Sequence, residues 1–152
     1  MKKLLILLIF PLVLNAQGDL KTADKKGWIT NYDQAIKKAN KEKKNVLVYF
    51  TGSDWCQPCI ALKKDFFETD AFNKYSEGYV LLYIDIPRNR DLLSADQLKH
   101  NKELASKLNK KGAVPMVAVI NKDGGELGAM SGYSMNGEIQ YHTKFLDKYL
   151  KN

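Results

Sequence analysis

Residues 46 to 59 read VLVYFTGSDWCQPC, an apolar run that is followed by the only two cysteines of the chain. A run such as Val46–Phe50 is typical of a strand buried on both faces, and a helical pattern begins at Cys56. A helix that starts at a cysteine offers its sulfur unpaired N–H groups and the positive end of the helix dipole. Both favour the thiolate, which is the form that attacks disulfides. The stretch therefore predicts a strand, then a reversible dithiol, then a helix.

The rest of the chain alternates between apolar runs and helical patterns. Helical periodicity predicts helices over residues 31–43, 56–67, 94–111 and 136–150. Apolar runs predict strands over residues 45–51, 79–84, 116–120 and 126–131, and the last two are joined by the turn-forming residues 121–125. Asn31 with Gln34, and Ser94 with Gln97, are spaced like capping boxes. This order predicts an α/β fold in which a mixed sheet carries helices on both faces.

The N-terminus has the pattern of a secretory signal peptide. Lys2 and Lys3 precede eleven apolar residues, 4–14, and a polar break at Asn15-Ala16-Gln17. Eleven residues are too few to span a bilayer, which needs about 20. We therefore expect a signal peptide over residues 1–16, cleavage after Ala16 and an exported, soluble product in the periplasm or outside the cell, with an uncleaved anchor as the alternative. Residues 17–27 would be a polar lead-in, and residues 28–152 a single domain.

The net charge of +7 arises from 24 basic and 17 acidic residues, and it would fall to +5 on loss of Lys2 and Lys3. Much of the excess is local, in a lysine cluster within residues 37–44 at the end of the first predicted helix. Cations suit the negative pole of a helix dipole, so a solvated helix face accounts for them. Without a basic stripe that carries aromatic platforms, nucleic-acid binding is not expected.

The stretch Trp55–Cys59, together with Val114-Pro115, resembles the active site of the thioredoxin-like superfamily. The resemblance covers residues 27–150, and Asp85-Ile86-Pro87-Arg88, residues 101–105 and the cysteine motif resemble exported bacterial members, with some likeness to small members of the endoplasmic reticulum. It implies the thioredoxin fold, a mixed central sheet flanked by helices on both faces. It also implies thiol-disulfide oxidoreductase activity, with no cofactor beyond a redox-active Cys56–Cys59 disulfide.

The resemblance assigns a role to each residue of the motif. Cys56 would be the exposed nucleophile that forms a mixed disulfide with the substrate, and Cys59 the shielded thiol that resolves it. Trp55 would form an apolar lip beside Cys56. Pro115 would be the cis-proline, leaving the backbone of Val114 open to pair with an extended substrate.

Gln57 and Pro58 lie between the cysteines and would tune their reduction potential. Neither is a histidine, so no imidazolium adjoins the nucleophile and the thiolate is less stabilised. A less stabilised thiolate means a lower potential, which favours a reductase of disulfides in exported proteins. An oxidase or isomerase, a Cu(I)-binding protein, a peptide-holding module and a plain structural bridge are the alternatives.

The same interpretation sets expectations for partners. Because no nicotinamide or flavin motif is present, a membrane protein that passes thiol electrons would have to re-reduce the pair, and we expect a monomer. His100 and His142 lack the spacing of zinc ligands, so no metal is expected.

One departure from the family concerns proton transfer. Many thioredoxin-like reductases carry a buried carboxylate on the strand before the motif, and the matching residue here is Tyr49. Asp54 adjoins the motif but is expected near the surface, where its charge would raise the pKa of Cys56.

Overall fold

A computed structural model describes residues 27–150. Over this range the helices are α1 (Tyr32–Glu42), α2 (Gln57–Leu62), α3 (Asn73–Gly78), α4 (Ala95–Leu108) and α5 (Gln140–Tyr149). The strands are β1 (Val46–Thr51), β2 (Val80–Asp85), β3 (Met116–Ile120) and β4 (Glu126–Ser131). A π-helical turn at Lys63–Phe67 and 3-10 turns at Asp70–Phe72 and Arg90–Leu92 complete the elements. The predicted signal peptide, residues 1–16, and residues 17–26 lie outside the described residues.

The four strands form one mixed sheet in the order β2-β1-β3-β4. β1 runs parallel to β2 and antiparallel to β3, and β3 pairs with β4 as an antiparallel hairpin. All six residues of β1 are buried, as its continuous apolar run predicts. The prediction of a mixed sheet in which β1 is buried on both faces is thereby confirmed.

The two faces of the sheet are covered by different helices, because side chains alternate along each strand. Leu47 and Tyr49 of β1 belong to an apolar cluster that includes Leu62 of α2 and Leu146 of α5. Val46, Val48 and Phe50 belong to the opposite cluster, with residues of α1 and α4. The prediction of helices on both faces is confirmed.

Aromatic rings make up much of the layer beneath α2. Trp28 stacks on Phe72 with ring centroids 6.0 Å apart, and Phe67 packs against Tyr49 at 4.6 Å. Packed aromatic pairs contribute about 0.5–1.5 kcal/mol each beyond the area they bury. This layer holds the helix that carries the cysteines against β1.

The predicted helix starts hold for α1 and α4. The side chain of Asn31 accepts a hydrogen bond from the backbone N–H of Gln34 at 3.0 Å, and that of Ser94 accepts one from Gln97 at 3.2 Å. Each is the N-cap contact that a capping box predicts.

Two predicted helices differ from those observed. The helix expected over 56–67 is regular to Leu62 and then widens into a π turn, in which the N–H of Glu68 donates to the carbonyl of Lys63 at 2.9 Å. The wider turn buries the adjacent Phe66 and Phe67 together. α5 begins at Gln140 rather than at residue 136, because Gly137 has a φ of 77°, which an α-helix cannot contain.

Candidate active site

The two cysteines lie where β1 passes into α2. Cys56 is the N-cap residue, and its Sγ accepts a hydrogen bond from the backbone N–H of Cys59 at 3.3 Å. Pro58 lies in the first turn, where a missing N–H costs nothing because that group would have no partner within the helix. The sequence prediction of a cysteine at a helix N-terminus is confirmed. Such a site lowers the pKa of a thiol.

The two sulfurs are joined in a disulfide, with the Cα atoms 5.2 Å apart. Cys59 is 1% exposed and Cys56 only 4% exposed. The expectation that Cys56 faces solvent is therefore wrong for this disulfide form, because its sulfur is turned towards Cys59 and lies within the apolar cluster on which Trp55 and Val114 pack. Cys56 remains the more accessible of the two.

Trp55 is half-buried next to Cys56 and is held from three sides. Its indole N–H donates to the carbonyl of Ile86 at 2.9 Å, and the Arg88 guanidinium lies 4.6 Å from the ring centroid. A Cβ atom at Gly52 would overlap the indole, so this position must be glycine for the ring to lie where it does. The structure thus places an apolar side chain beside the cysteine pair.

Asp54 is exposed, as expected, and fastens the next loop to the motif. Its carboxylate accepts hydrogen bonds from the backbone N–H groups of Asn89 at 2.8 Å and Arg88 at 3.0 Å. The bond from Asn89 has the largest effect on the pKa of Asp54, and the bond from Arg88 acts in the same direction. Both lower this pKa, so Asp54 is ionised at neutral pH. A fixed negative charge therefore adjoins the motif.

The loop before β3 lies on the same side of the molecule. The Val114–Pro115 peptide bond is cis, Pro115 is buried, and Val114 is half-buried against the cluster that contains both cysteines. The carbonyl of Pro115 accepts a hydrogen bond from the N–H of Gly132 at 2.8 Å. Trp55 and Val114 therefore both pack against the cluster that contains the cysteine pair, while Gln57 is exposed and Pro58 half-buried on the first turn.

The interior beneath the motif contains a tyrosine where the family pattern has a carboxylate. Tyr49 is 1% exposed, and its hydroxyl donates to the carbonyl of Cys59 at 3.0 Å. Burial raises the pKa of Tyr49 well above its ordinary value, so the phenol stays protonated. Tyr49 therefore supports the helix that carries Cys59 and cannot take up its proton.

A buried carboxylate is nevertheless present one strand away, and sequence reasoning missed it as a site residue. Asp85 ends β2 and is 0% exposed. It accepts hydrogen bonds from the backbone N–H of Ser53 at 2.9 Å and from the Ser53 hydroxyl at 2.5 Å. Burial raises its pKa, and the bonds from Ser53 oppose that rise. The signal was a lone acidic residue directly after the apolar run Val80–Ile84.

The two histidines lie apart from the cysteines in the packing. His100 accepts a hydrogen bond from the N–H of Tyr32 through Nε2 at 3.2 Å, and His142 packs against Phe66 and Tyr133. Within residues 27–150, no group of three or more His, Cys, Asp or Glu side chains is arranged to hold a metal ion. Over the same range, no helix is both long and apolar enough to cross a membrane.

A cysteine pair that caps the helix after the central strand of a mixed sheet, opposite a cis-proline loop, defines a thioredoxin-like protein. The model of the thioredoxin-like family matches residues 27–122, and the chain belongs to this family. It is a thiol-disulfide oxidoreductase, with Cys56 and Cys59 as its disulfide pair.

Individual relatives agree with this assignment. The chain is 25% identical over 115 residues to "Disulfide bond reductase DsbH" of Chlamydia pneumoniae, covering 75% of the chain and 68% of that protein. It is 30% identical over 88 residues to "Thioredoxin-related protein DsbJ" of the same organism, covering 57% of the chain but 25% of that protein. The solved structure "DsbH Oxidoreductase" is similar in fold, with a TM-score of 0.67, 22% identity and coverage of 85% of this chain and 91% of that one.

Proposed function

We propose that this chain is an exported reductase of protein disulfides. The observation that carries the proposal is the setting of Cys56, whose Sγ receives the N–H of Cys59 while an exposed, ionised Asp54 adjoins the motif. Gln57 and Pro58 add no positive charge between the cysteines. The helix N-terminus therefore stabilises the Cys56 thiolate without help from a positive charge within the motif, which corresponds to a more stable disulfide and a lower reduction potential than a cation beside the nucleophile would give. The name of the relative "Disulfide bond reductase DsbH" supports the same direction.

The reaction follows from the placement of the two sulfurs. The Cys56 thiolate attacks a substrate disulfide, so that one substrate sulfur leaves as a thiolate and the other stays bonded to Cys56. Cys59 then attacks Cys56 Sγ, the bond to the substrate breaks, and the Cys56–Cys59 disulfide forms. Two electrons pass from the dithiol to the substrate.

The substrate would dock between Trp55 and the Val114-Pro115 loop. Trp55 offers an apolar surface that is held in place by Ile86 and Arg88. Val114 is half-buried beside the cysteine cluster, where its backbone can pair with an extended segment. An extended chain that crosses this loop would bring its disulfide to Cys56.

The compartment and partners belong to the same proposal. The pattern of residues 1–16 supports export to the periplasm, where the chain would act as a monomer on disulfide-containing exported proteins. A membrane thiol donor would re-reduce the pair, because the chemistry needs no cofactor other than the disulfide itself.

The reduction potential of the Cys56–Cys59 pair tests the direction of electron flow. Thiol trapping after equilibration in graded dithiothreitol or glutathione buffers measures it. We expect a value below about −220 mV, and a value above about −150 mV would instead indicate an oxidase or isomerase. A Cys56→Ser, Cys59→Ser double variant is the control and must lose disulfide reduction; retained function in that variant would indicate a peptide-holding module.

A further inference from the structure

Asp85 is a buried carboxylate that the exchange reaction described above does not use. It lies at the end of β2, and its Cα partner in the parallel register is Thr51 of β1. Because side chains alternate along a strand, Asp85 shares a sheet face with Tyr83, and Thr51 shares it with Tyr49. Tyr49 and Tyr83 both belong to the cluster that contains the cysteines. Asp85 therefore lies on the side of the sheet that α2 covers.

One pocket is lined both by Ser53, the hydrogen-bond partner of Asp85, and by Cys59. Its volume is about 310 Å³, and Thr51, Ser53, Cys59, Lys63 and Tyr83 are among the residues that line it. Ser53, which holds both oxygens of Asp85, is thus in the same pocket wall as the resolving cysteine. A water takes up about 30 Å³ in the liquid, so the pocket has room for water between Ser53 and Cys59.

We propose that Asp85 is the proton acceptor for Cys59, acting through Ser53 and water in this pocket. The proposal rests on the thiol-disulfide exchange described under Proposed function. When the mixed disulfide is resolved, the Cys59 thiol loses its proton to the Asp85 carboxylate, and the resulting thiolate attacks Cys56 Sγ. The bond between Cys56 and the substrate breaks, and the substrate leaves as a thiolate. Asp85 then returns its proton to the departing thiolate or to solvent.

The charges around Asp85 suit this task. Burial raises the pKa of Asp85, and the negative charge of Asp54 raises it further. The hydrogen bond from the Ser53 hydroxyl opposes both effects, because it lowers the pKa of Asp85. Lys63 lines the pocket from the helix side, whereas α4 presents the uncharged amide of Asn101, which donates to the Asp85 carbonyl at 2.8 Å. A carboxylate of raised pKa is a stronger base than an exposed one near neutral pH.

The electrostatics of Tyr49 relate Asp85 to the turn that carries Cys59. Burial raises the pKa of the Tyr49 phenol, whose hydroxyl donates to the carbonyl of Cys59, and the negative charge of Asp85 raises that pKa further. The carboxylate is therefore within electrostatic reach of the turn that carries Cys59. The acidic group expected on β1 is found on the neighbouring strand.

The test separates the attack of Cys56 from the resolution by Cys59. The reduced chain is mixed with 5,5′-dithiobis(2-nitrobenzoic acid), and release of thionitrobenzoate is followed by stopped flow. The first equivalent reports attack by Cys56 and the second reports resolution by Cys59. In Asp85→Asn we expect the second phase to slow at least tenfold at pH 7, with the first phase changed less than twofold. Asp91→Asn, the same change at an exposed position of the following loop, is the matched control and should keep both phases.

A second variant keeps the test decisive if Asp85→Asn fails to fold. In Ser53→Ala the carboxylate remains but loses the hydroxyl that lowers its pKa. Because the hydroxyl is also part of the proposed relay to Cys59, the second phase should slow, and the pH at which it reaches half its maximal rate should move upwards. An unchanged inflection in Ser53→Ala, or a second phase of normal rate and pH dependence in folded Asp85→Asn, would overturn the proposal. Loss of both phases in the wild-type chain would instead contradict the proposed exchange itself.

Discussion

Gly52→Ala should destabilise the protein through Trp55 alone. A Cβ atom at residue 52 would overlap the indole ring. Gly52 is not among the glycines with positive φ, so its backbone accepts alanine without strain. The indole must therefore move, which breaks its hydrogen bond to the Ile86 carbonyl and its contact with Arg88.

The expected loss follows from these contacts. A hydrogen bond of this kind contributes about 1 kcal/mol, and an exposed cation–π contact about 0.5–1 kcal/mol. We therefore expect the free energy of unfolding of Gly52→Ala to fall by about 2 kcal/mol. In a Trp55→Ala background the obstruction is gone, and the same substitution should be neutral or stabilising by up to about 1 kcal/mol, because alanine reduces the entropy of the unfolded chain.

Urea denaturation of the wild-type chain, the two single variants and the double variant measures all four free energies under identical buffer and redox conditions. The double-mutant cycle should give a coupling of about 2–3 kcal/mol between positions 52 and 55. Equal costs of Gly52→Ala with and without the indole would refute the reasoning and point to a backbone requirement at residue 52.

Two further predictions concern pH. His142 is buried, burial lowers its pKa, and Nδ1 has no hydrogen-bond partner within the described residues. The unfolded chain therefore binds a proton more readily at His142 than the folded chain does, so the free energy of unfolding should decline as the pH falls below about 6.5. In urea titrations, His142→Leu should reduce the dependence of this free energy on pH. An unchanged dependence would contradict the assignment. The hydrogen bond from the Lys74 ammonium is the main cause that lowers the pKa of Asp147, and the hydrogen bond from the Tyr75 hydroxyl lowers it further. Its contribution should be present above the ordinary Asp pKa of about 3.9 and disappear as the pH falls through the lowered value. Asp147→Asn should thus cost about 0.5 kcal/mol at pH 7 and nothing at pH 2, with Asp91→Asn as the charge control.

Most of the secondary structure could be predicted because its causes are local. β3 and β4 occupy the predicted residues 116–120 and 126–131, because two strand-like runs separated by a polar, glycine-rich turn are typical of an antiparallel hairpin. α1 and α4 begin after Asn31 and Ser94 because an N-cap bond spans only three residues. The start of α5 was predicted too early, because a glycine permits but does not require the positive φ that Gly137 adopts.

The candidate site divides in the same way. The Cys56–Cys59 pair and its helix N-terminus lie within four consecutive residues, so spacing alone predicts them. The burial of Cys56 was missed, because it depends on a cluster whose members range from Trp28 to Leu146 along the chain. The indole's hydrogen bond to Ile86 likewise joins residues 31 apart.

Sequence patterns were enough to predict the order of the strands and of every helix except the short α3, the dithiol at the start of α2 and the family to which the chain belongs. These properties depend on hydrophobic periodicity and on short motifs, which act over a few residues. Only the tertiary structure decided which carboxylate lies behind the cysteines. Asp85 reaches Ser53, 32 residues before it, because β1 and β2 pair in parallel with Thr51 opposite Asp85. That register is set by the packing of the whole sheet, and no local pattern contains it.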